Sequence, residues 1–256
     1  VLLGQSQYYI VGDPNRKLAI LHVNEGIEPV SQWWHWIYPD GLVNNQSEYY
    51  MVENTHCMQA IFHKDNKDEP ISEWWEKIYL NGLVRGHSEY YLAQNPYQQY
   101  AIFHKSSKTP VTSWYMYISK TGLIQGTSSY YAVMVSKKAP IKVYHISNTQ
   151  TPLYEIPNYN EQSSLLYVDD KITVFSKRHF ITAFVPSLNK EIVLAELPDI
   201  PMGLDTYTTD VLLSKYIHRG LVTLSLTNDK ITLYNIDGKY LGTFNNEEEI
   251  NLLMNI

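Results

Sequence analysis

Apolar and aromatic residues recur along the first half of the chain in short runs separated by polar turns. "SEYYMVE" (47–53) and "MQAIFHK" (58–64) form one such pair. Both are rich in β-branched and aromatic side chains, with a polar stretch between them, which predicts two strands joined by a hairpin. In the first copy that stretch is "GDPN" (12–15), where proline fixes φ and glycine and asparagine tolerate left-handed geometry. The next run, "SEWWEKIY" (72–79), has a different period. Trp74 and Ile78 are four apart, as are Trp75 and Tyr79, which places both pairs on one face of a helix. Ser31, Ser72 and Thr112 each follow a proline by two residues and fit N-caps, and Gly41, Gly82 and Gly122 fit the left-handed position after a helix end. A helix of about two turns cannot hold itself in water, so it is expected to dock through its aromatic face.

The pattern repeats with a period of 41 residues, with one deletion in the third copy. Tyrosine pairs stand at Tyr8-Tyr9, Tyr49-Tyr50, Tyr90-Tyr91 and Tyr130-Tyr131, and histidines at His22, His63, His104 and His145. The expected fold class is therefore α+β. Tandem β-β-α repeats of 41 residues, three full and a degenerate fourth, are followed by a β-rich domain. The units run about 4–44, 45–85, 86–125 and, in part, 126–150. Residues 151–256 are expected to form a β-rich C-terminal capping domain with one or two short helices, read from "TTDVLLSKYIHRG" (208–220) and the tail "NNEEEINLLMNI" (245–256). Asp169-Asp170 and Asp229 precede strands and read as hairpin loops, and Asp237-Gly238 reads as a hairpin turn. An open, solenoid-like array is preferred over a closed, propeller-like ring, because a helix in each unit argues against blades.

Consecutive strand residues point to opposite faces, so one tyrosine of each pair should face the core and the other outward. The spacing leaves open which. The candidate binding residues are Tyr9, Tyr50, Tyr91 and Tyr131, a stripe in register along the array, with Trp34, Trp75 and Tyr115 at its rim. The first tryptophan of each pair (Trp33, Trp74, Trp114) is expected in the core. The competing reading of the tyrosines is a ladder packed between units.

Composition narrows the function. A net charge of −6 argues against nucleic acid as partner, and the basic clusters Ser136-Lys137-Lys138 and Lys177-Arg178 read as solvated hairpin tips. Cys57 is the only cysteine, so neither an intrachain disulfide nor a four-cysteine zinc site can form. No apolar run reaches the length of about 18 residues that a membrane helix needs, and no membrane partner is expected. Without a leader, a cytoplasmic location is favoured; the chain opens on Val1, and an extracellular one follows if it is a processed fragment. Stacked layers about 10 Å apart would keep the four histidines from sharing one ion, whose ligands sit at about 2 Å, so neither metal nor cofactor is expected. His56-Cys57 occurs in one copy only, and no nucleophile elbow, zinc helix or phosphate loop is present.

The segment "GLVRGHSEYYLAQ" (82–94) resembles the rhythm of choline-binding cell-wall repeats over those residues alone; those repeats are about half as long and have no helix, and no residue role follows from the likeness. The expected function is a non-enzymatic binding protein, of adaptor or immunity type, that recognises a protein through the aromatic surface and the variable tips "GDPNRK", "NTHCMQ" and "NPYQQY". One alternative is carbohydrate or cell-wall binding, which calls for the same aromatic exposed in every unit. Another is an enzyme with its site in the C-terminal domain around His179, Asp210 and His218.

Overall fold

The computed structural model describes residues 6–24, 26–136, 139–157, 163–177, 180–196, 221–226, 230–235 and 240–244. The chain divides into two compact units, Val1–Ala139 with Tyr144–Pro152, and Pro140–Val143 with Leu153–Ile256.

The first unit is built from hairpins. β1 (Tyr8–Gly12) pairs antiparallel with β2 (Leu18–His22), placing Tyr8 opposite His22. A two-residue strand, β3 (Trp36–Ile37), follows, and then the next hairpin, β4 (Tyr49–Glu53) with β5 (Gln59–His63). The unit recurs as β6 (Lys77–Ile78), β7 (Tyr90–Gln94) and β8 (Tyr100–His104), then β9 (Tyr117–Ile118) and β10 (Tyr130–Met134). The first three hairpin turns are each organised by one side chain. Asp13 Oδ1 accepts from the Lys17 amide, Asn54 Oδ1 from those of His56 and Met58, and Asn95 Oδ1 from those of Tyr97 and Gln99. The left-handed residue of the turn is Arg16, Cys57 or Gln98, at φ of 63°, 58° and 59°, and not the glycine or asparagine of "GDPN".

The expected β-β-α repeat is overturned. Among the described residues the one helical element is a 3₁₀ turn, Pro186–Leu188, in the second unit. The aromatic segment predicted as a helix is extended and links two hairpins. Trp34 exchanges both backbone hydrogen bonds with Leu18 of its own hairpin, at 2.8 Å each, while Trp36 and Ile37 pair with Glu53 and Val52 of the next. Trp75 with Gln59, and Tyr115 with Tyr100, repeat the first contact; Lys77–Ile78 and Tyr117–Ile118 repeat the second. A two-turn helix would gain few internal hydrogen bonds, whereas the hairpin edges on either side offer a full set to an extended, aromatic-rich segment. The presumed N-caps serve the sheet instead. Ser31 Oγ, Ser72 Oγ and Thr112 Oγ1 are buried and accept from the amides of Ile20, Ile61 and Ile102 at 2.9, 2.9 and 3.1 Å. The preference for an open array rested on the helix and falls with it.

Gly41, Gly82 and Gly122 do take positive φ, of 80°, 87° and 86°, but they open a turn that tucks Leu42-Val43, Leu83-Val84 and Leu123-Ile124 into the core. A Cβ on Gly41 would lie 2.3 Å from the Tyr49 carbonyl oxygen and 2.8 Å from that of Val84, so only glycine lets successive turns approach this closely. Serine side chains join the same turns. Ser6 Oγ donates to the Leu42 carbonyl, Ser47 to that of Val84 and Ser88 to that of Ile124, at 2.9, 2.6 and 3.0 Å.

Both faces of the β4–β5 hairpin are covered by neighbouring repeats. Tyr50, Val52 and Phe62 pack with Ile20 and Trp34 of the preceding repeat, while Met51 and Ile61 pack with Tyr91 and Phe103 of the following one. This is why Tyr50, Met51 and Val52 are all buried, where a one-sided strand would alternate.

β11 (Ile141–His145) contributes to both units. Its Tyr144 stacks on Tyr131 in the first, and in the second its opening residues pair with β12 (Tyr154–Ile156). The second unit continues with the antiparallel meander β13 (Ser163–Val168), β14 (Thr173–Lys177), β15 (Phe180–Val185) and β16 (Lys190–Glu196). Asp169 shapes its first turn, Oδ1 accepting from the amides of Lys171 and Ile172 at 2.8 Å each. A second meander joins β17 (Leu221–Leu226), β18 (Lys230–Asn235) and β19 (Tyr240–Phe244). The predicted helices at 208–220 and 245–256, the Asp237-Gly238 turn, Lys137, Lys138, Arg178 and Asp229 lie outside the described residues.

Candidate functional site

The tyrosine stripe does not form a surface. Tyr50, Tyr91 and Tyr131 are 0% exposed, each stacked on an aromatic of the facing strand (Phe62, Phe103 and Tyr144, at 5.6, 5.2 and 5.4 Å). Tyr9, in the first hairpin, is half-buried. The rim residues are also internal. Trp34 and Trp75 are half-buried and Tyr115 is buried, and each packs forward onto the next repeat. Trp34 meets Phe62 and Trp74, Trp75 meets Phe103 and Trp114, and Tyr115 meets Tyr144. Aromatic pairs of this kind stabilise by about 0.5–1.5 kcal/mol beyond burial. Trp33, expected in the core, has no such ring packed on it among the described residues and is 40% exposed.

The histidine ladder pairs with the other tyrosine of each doublet. His22, His63, His104 and His145 lie 4.9, 5.1, 5.0 and 4.8 Å from the rings of Tyr8, Tyr49, Tyr90 and Tyr130. Glu48 and Glu89 sit beside His63 and His104, and their carboxyls are held below the usual range chiefly by Lys64 and Lys105, then by the histidines. Among the described residues no group of three metal-ligating side chains comes together. His179, Asp210 and His218 lie outside the described residues.

What does reach solvent is the outer side of the linking strands. Their two-residue alternation buries Ile37, Ile78 and Ile118 and turns Trp36, Lys77 and Tyr117 the other way. The next residue is Tyr38, Tyr79 or Ser119, and here the repeats differ in chemistry. Tyr38 donates its hydroxyl proton to Glu53 Oε2 (3.2 Å) and accepts from Gln59 Nε2 (2.6 Å). Burial, then Glu53, pushes its phenol up to about 12. One repeat on, Gln94 and Tyr100 replace Glu53 and Gln59. The Tyr79 hydroxyl lies 3.5 Å from that of Tyr100, which accepts from Gln94 Nε2 at 3.2 Å. The ammonium groups of Lys77 and Lys120 stand 5.0 and 4.4 Å from the centre of the Tyr79 ring. Burial, then Lys77 and Arg85, lowers the Lys120 pKa. Arg85 is engaged by Asp40 at 2.8 Å.

The remaining exposed aromatics are scattered. Trp36 is 51% and Tyr97, at a hairpin tip, 83% exposed; their equivalents are Lys77 and Tyr117, and His56 and Asn15. The Tyr79 cluster escapes sequence reasoning because Lys77 and Lys120 do not occupy equivalent repeat positions. Its one signal is a lysine at 77 where Trp36 and Tyr117 stand in the other copies.

No helix among the described residues is long and apolar enough to cross a membrane. No family model matches the chain, and no curated protein matches it. Among solved structures, the chain is similar to the computationally designed Ika8 protein, with a TM-score of 0.47 and 8% identity over 95% of this chain and 73% of that one. It is similar to the β-propeller domain of Myceliophteria thermophila Cps50 (Swd1), with a TM-score of 0.38 and 8% identity over 94% and 83%. It is also similar to Kluyvelomyces marxianus Hsv2, with a TM-score of 0.35 and 12% identity over 73% and 66%.

Proposed function

We propose that this chain is a non-catalytic recognition protein that binds a protein partner through the outer side of its linking strands and its hairpin tips. The observation that carries the reading is the irregularity of the exposed surface. The strongly exposed aromatics among the described residues are Trp33, Trp36 and Tyr97, and none recurs as an exposed ring at its repeat-equivalent place. A repeating polymer such as a cell-wall glycan favours the same ring in every unit, whereas one protein surface is met by a patch of differing side chains. The constant residues supply the frame, and the variable ones lie outside it.

Capture from an extract of the source organism tests this, with wild-type bait beside a Trp36→Ala/Tyr97→Ser bait shown to fold. One stoichiometric protein, lost with the double variant, is expected. Retention on cell-wall polysaccharide by both baits, with no protein captured, overturns the reading.

A further inference from the structure

We propose that Lys77 and Lys120, flanking the ring of Tyr79, receive a carboxylate of the protein partner, an aspartate, a glutamate or a chain end. This inference rests on the recognition reading and gives one place on the partner its chemistry. The two ammonium groups converge on one ring, at 5.0 and 4.4 Å, and among the described residues neither has an acidic partner. Lysines 64, 105, 108 and 142, by contrast, each pair with a glutamate within 3.0 Å. The nearest guanidinium, that of Arg85, is taken up by Asp40. The Tyr100 hydroxyl accepts from the Tyr79 hydroxyl and from Gln94 Nε2, which leaves its own proton to donate to an arriving oxygen.

The ligand is a single carboxylate rather than a polyanion for two reasons. A nucleic acid or an anionic lipid surface needs a continuous basic face. Here the equivalent position one repeat earlier carries Glu53 beside Tyr38, and the whole chain bears a net charge of −6. A carboxylate entering between the two lysines meets local positive charge without requiring it elsewhere.

The test uses the full chain and a capped peptide carrying one glutamate among neutral residues, with its glutamine counterpart and inorganic phosphate as controls. Ring resonances of Tyr79 and Tyr100 are followed by NMR. The glutamate peptide is expected to shift both, the glutamine peptide neither. Lys77→Gln/Lys120→Gln should weaken binding by about tenfold or more, the scale of a lost charge-assisted contact. Lys77→Arg/Lys120→Arg should retain it. No shift at these rings, or shifts that survive the glutamine double variant, overturn the site, and the lysines then only cover the ring with their stems. Phosphate binding as tightly as the peptide overturns the assignment to a carboxylate. If Lys77→Gln/Lys120→Gln bait still captures the partner that Trp36→Ala/Tyr97→Ser bait loses, the recognition reading stands and this site does not.

Discussion

The hydroxyl of Tyr91 lies in the core with no hydrogen-bond partner among the described residues, as do those of Tyr50 and Tyr131. A buried polar group without a partner costs free energy, so the ring and not the hydroxyl keeps these residues in place. In urea denaturation, Tyr91→Phe is expected to leave the unfolding free energy unchanged or raise it by up to about 1 kcal/mol, while Tyr91→Ala should cost about 3–5 kcal/mol. A loss for phenylalanine as large as that for alanine would mean the hydroxyl is bound. Gly82 gives the complementary case. At φ +87° it would bring a Cβ within 2.3 Å of the Tyr90 carbonyl oxygen, whereas Gly26, at φ +85°, has nothing within 4 Å of the same atom. Gly26→Ala should therefore cost only the left-handed strain, about 1 kcal/mol, and Gly82→Ala clearly more by the same denaturation assay.

At the scale of the element, the linking segment decides the architecture, and it is where sequence and structure part. Aromatics four apart in "SEWWEKIY" satisfy a helical period, but they equally suit a strand that bends from one hairpin to the next. Hydrogen bonds from two separate hairpins then favour the strand, and no local pattern reports them. The hairpins themselves were legible, because alternation and polar tips are local. The facing of the second tyrosine was not: a strand covered on both sides has no outward face, and coverage comes from neighbours. Ser72 tests the segment directly. Its Oγ accepts from the buried Ile61 amide at 2.9 Å, so Ser72→Ala leaves that amide unpaired and should cost about 1–3 kcal/mol. Were Ser72 a helix cap, Ser72→Gly would cost only a few tenths of that unit; in this fold glycine should be as damaging as alanine.

For the whole molecule, the buried phenols set an alkaline limit. The pKa of Tyr38 is raised from 10.0 to about 12, by burial and then Glu53, and burial first raises those of Tyr50, Tyr91 and Tyr131 further. A raised acid is stable in its neutral form, so its contribution is full below the unfolded value. It is lost as pH climbs through 10 toward the folded value. The denaturation midpoint should fall from about pH 10 upward, in step with tyrosinate absorbance, and Tyr38→Phe should soften the fall. A midpoint flat across that range would show that these phenols ionise as freely folded as unfolded. The candidate site was only thinly legible in the sequence, since a surface is what remains after packing is known. The frame residues drew attention by repeating, and the exposed ones, Trp36, Lys77 and Tyr97, by their nature do not repeat. Hydrogen exchange of the complex with the captured partner tests that division most directly. Slowed exchange is expected in the peptides spanning residues 34–38, 75–79 and 95–98. Protection confined to the second unit, with those three peptides unchanged, would contradict recognition through the linking strands.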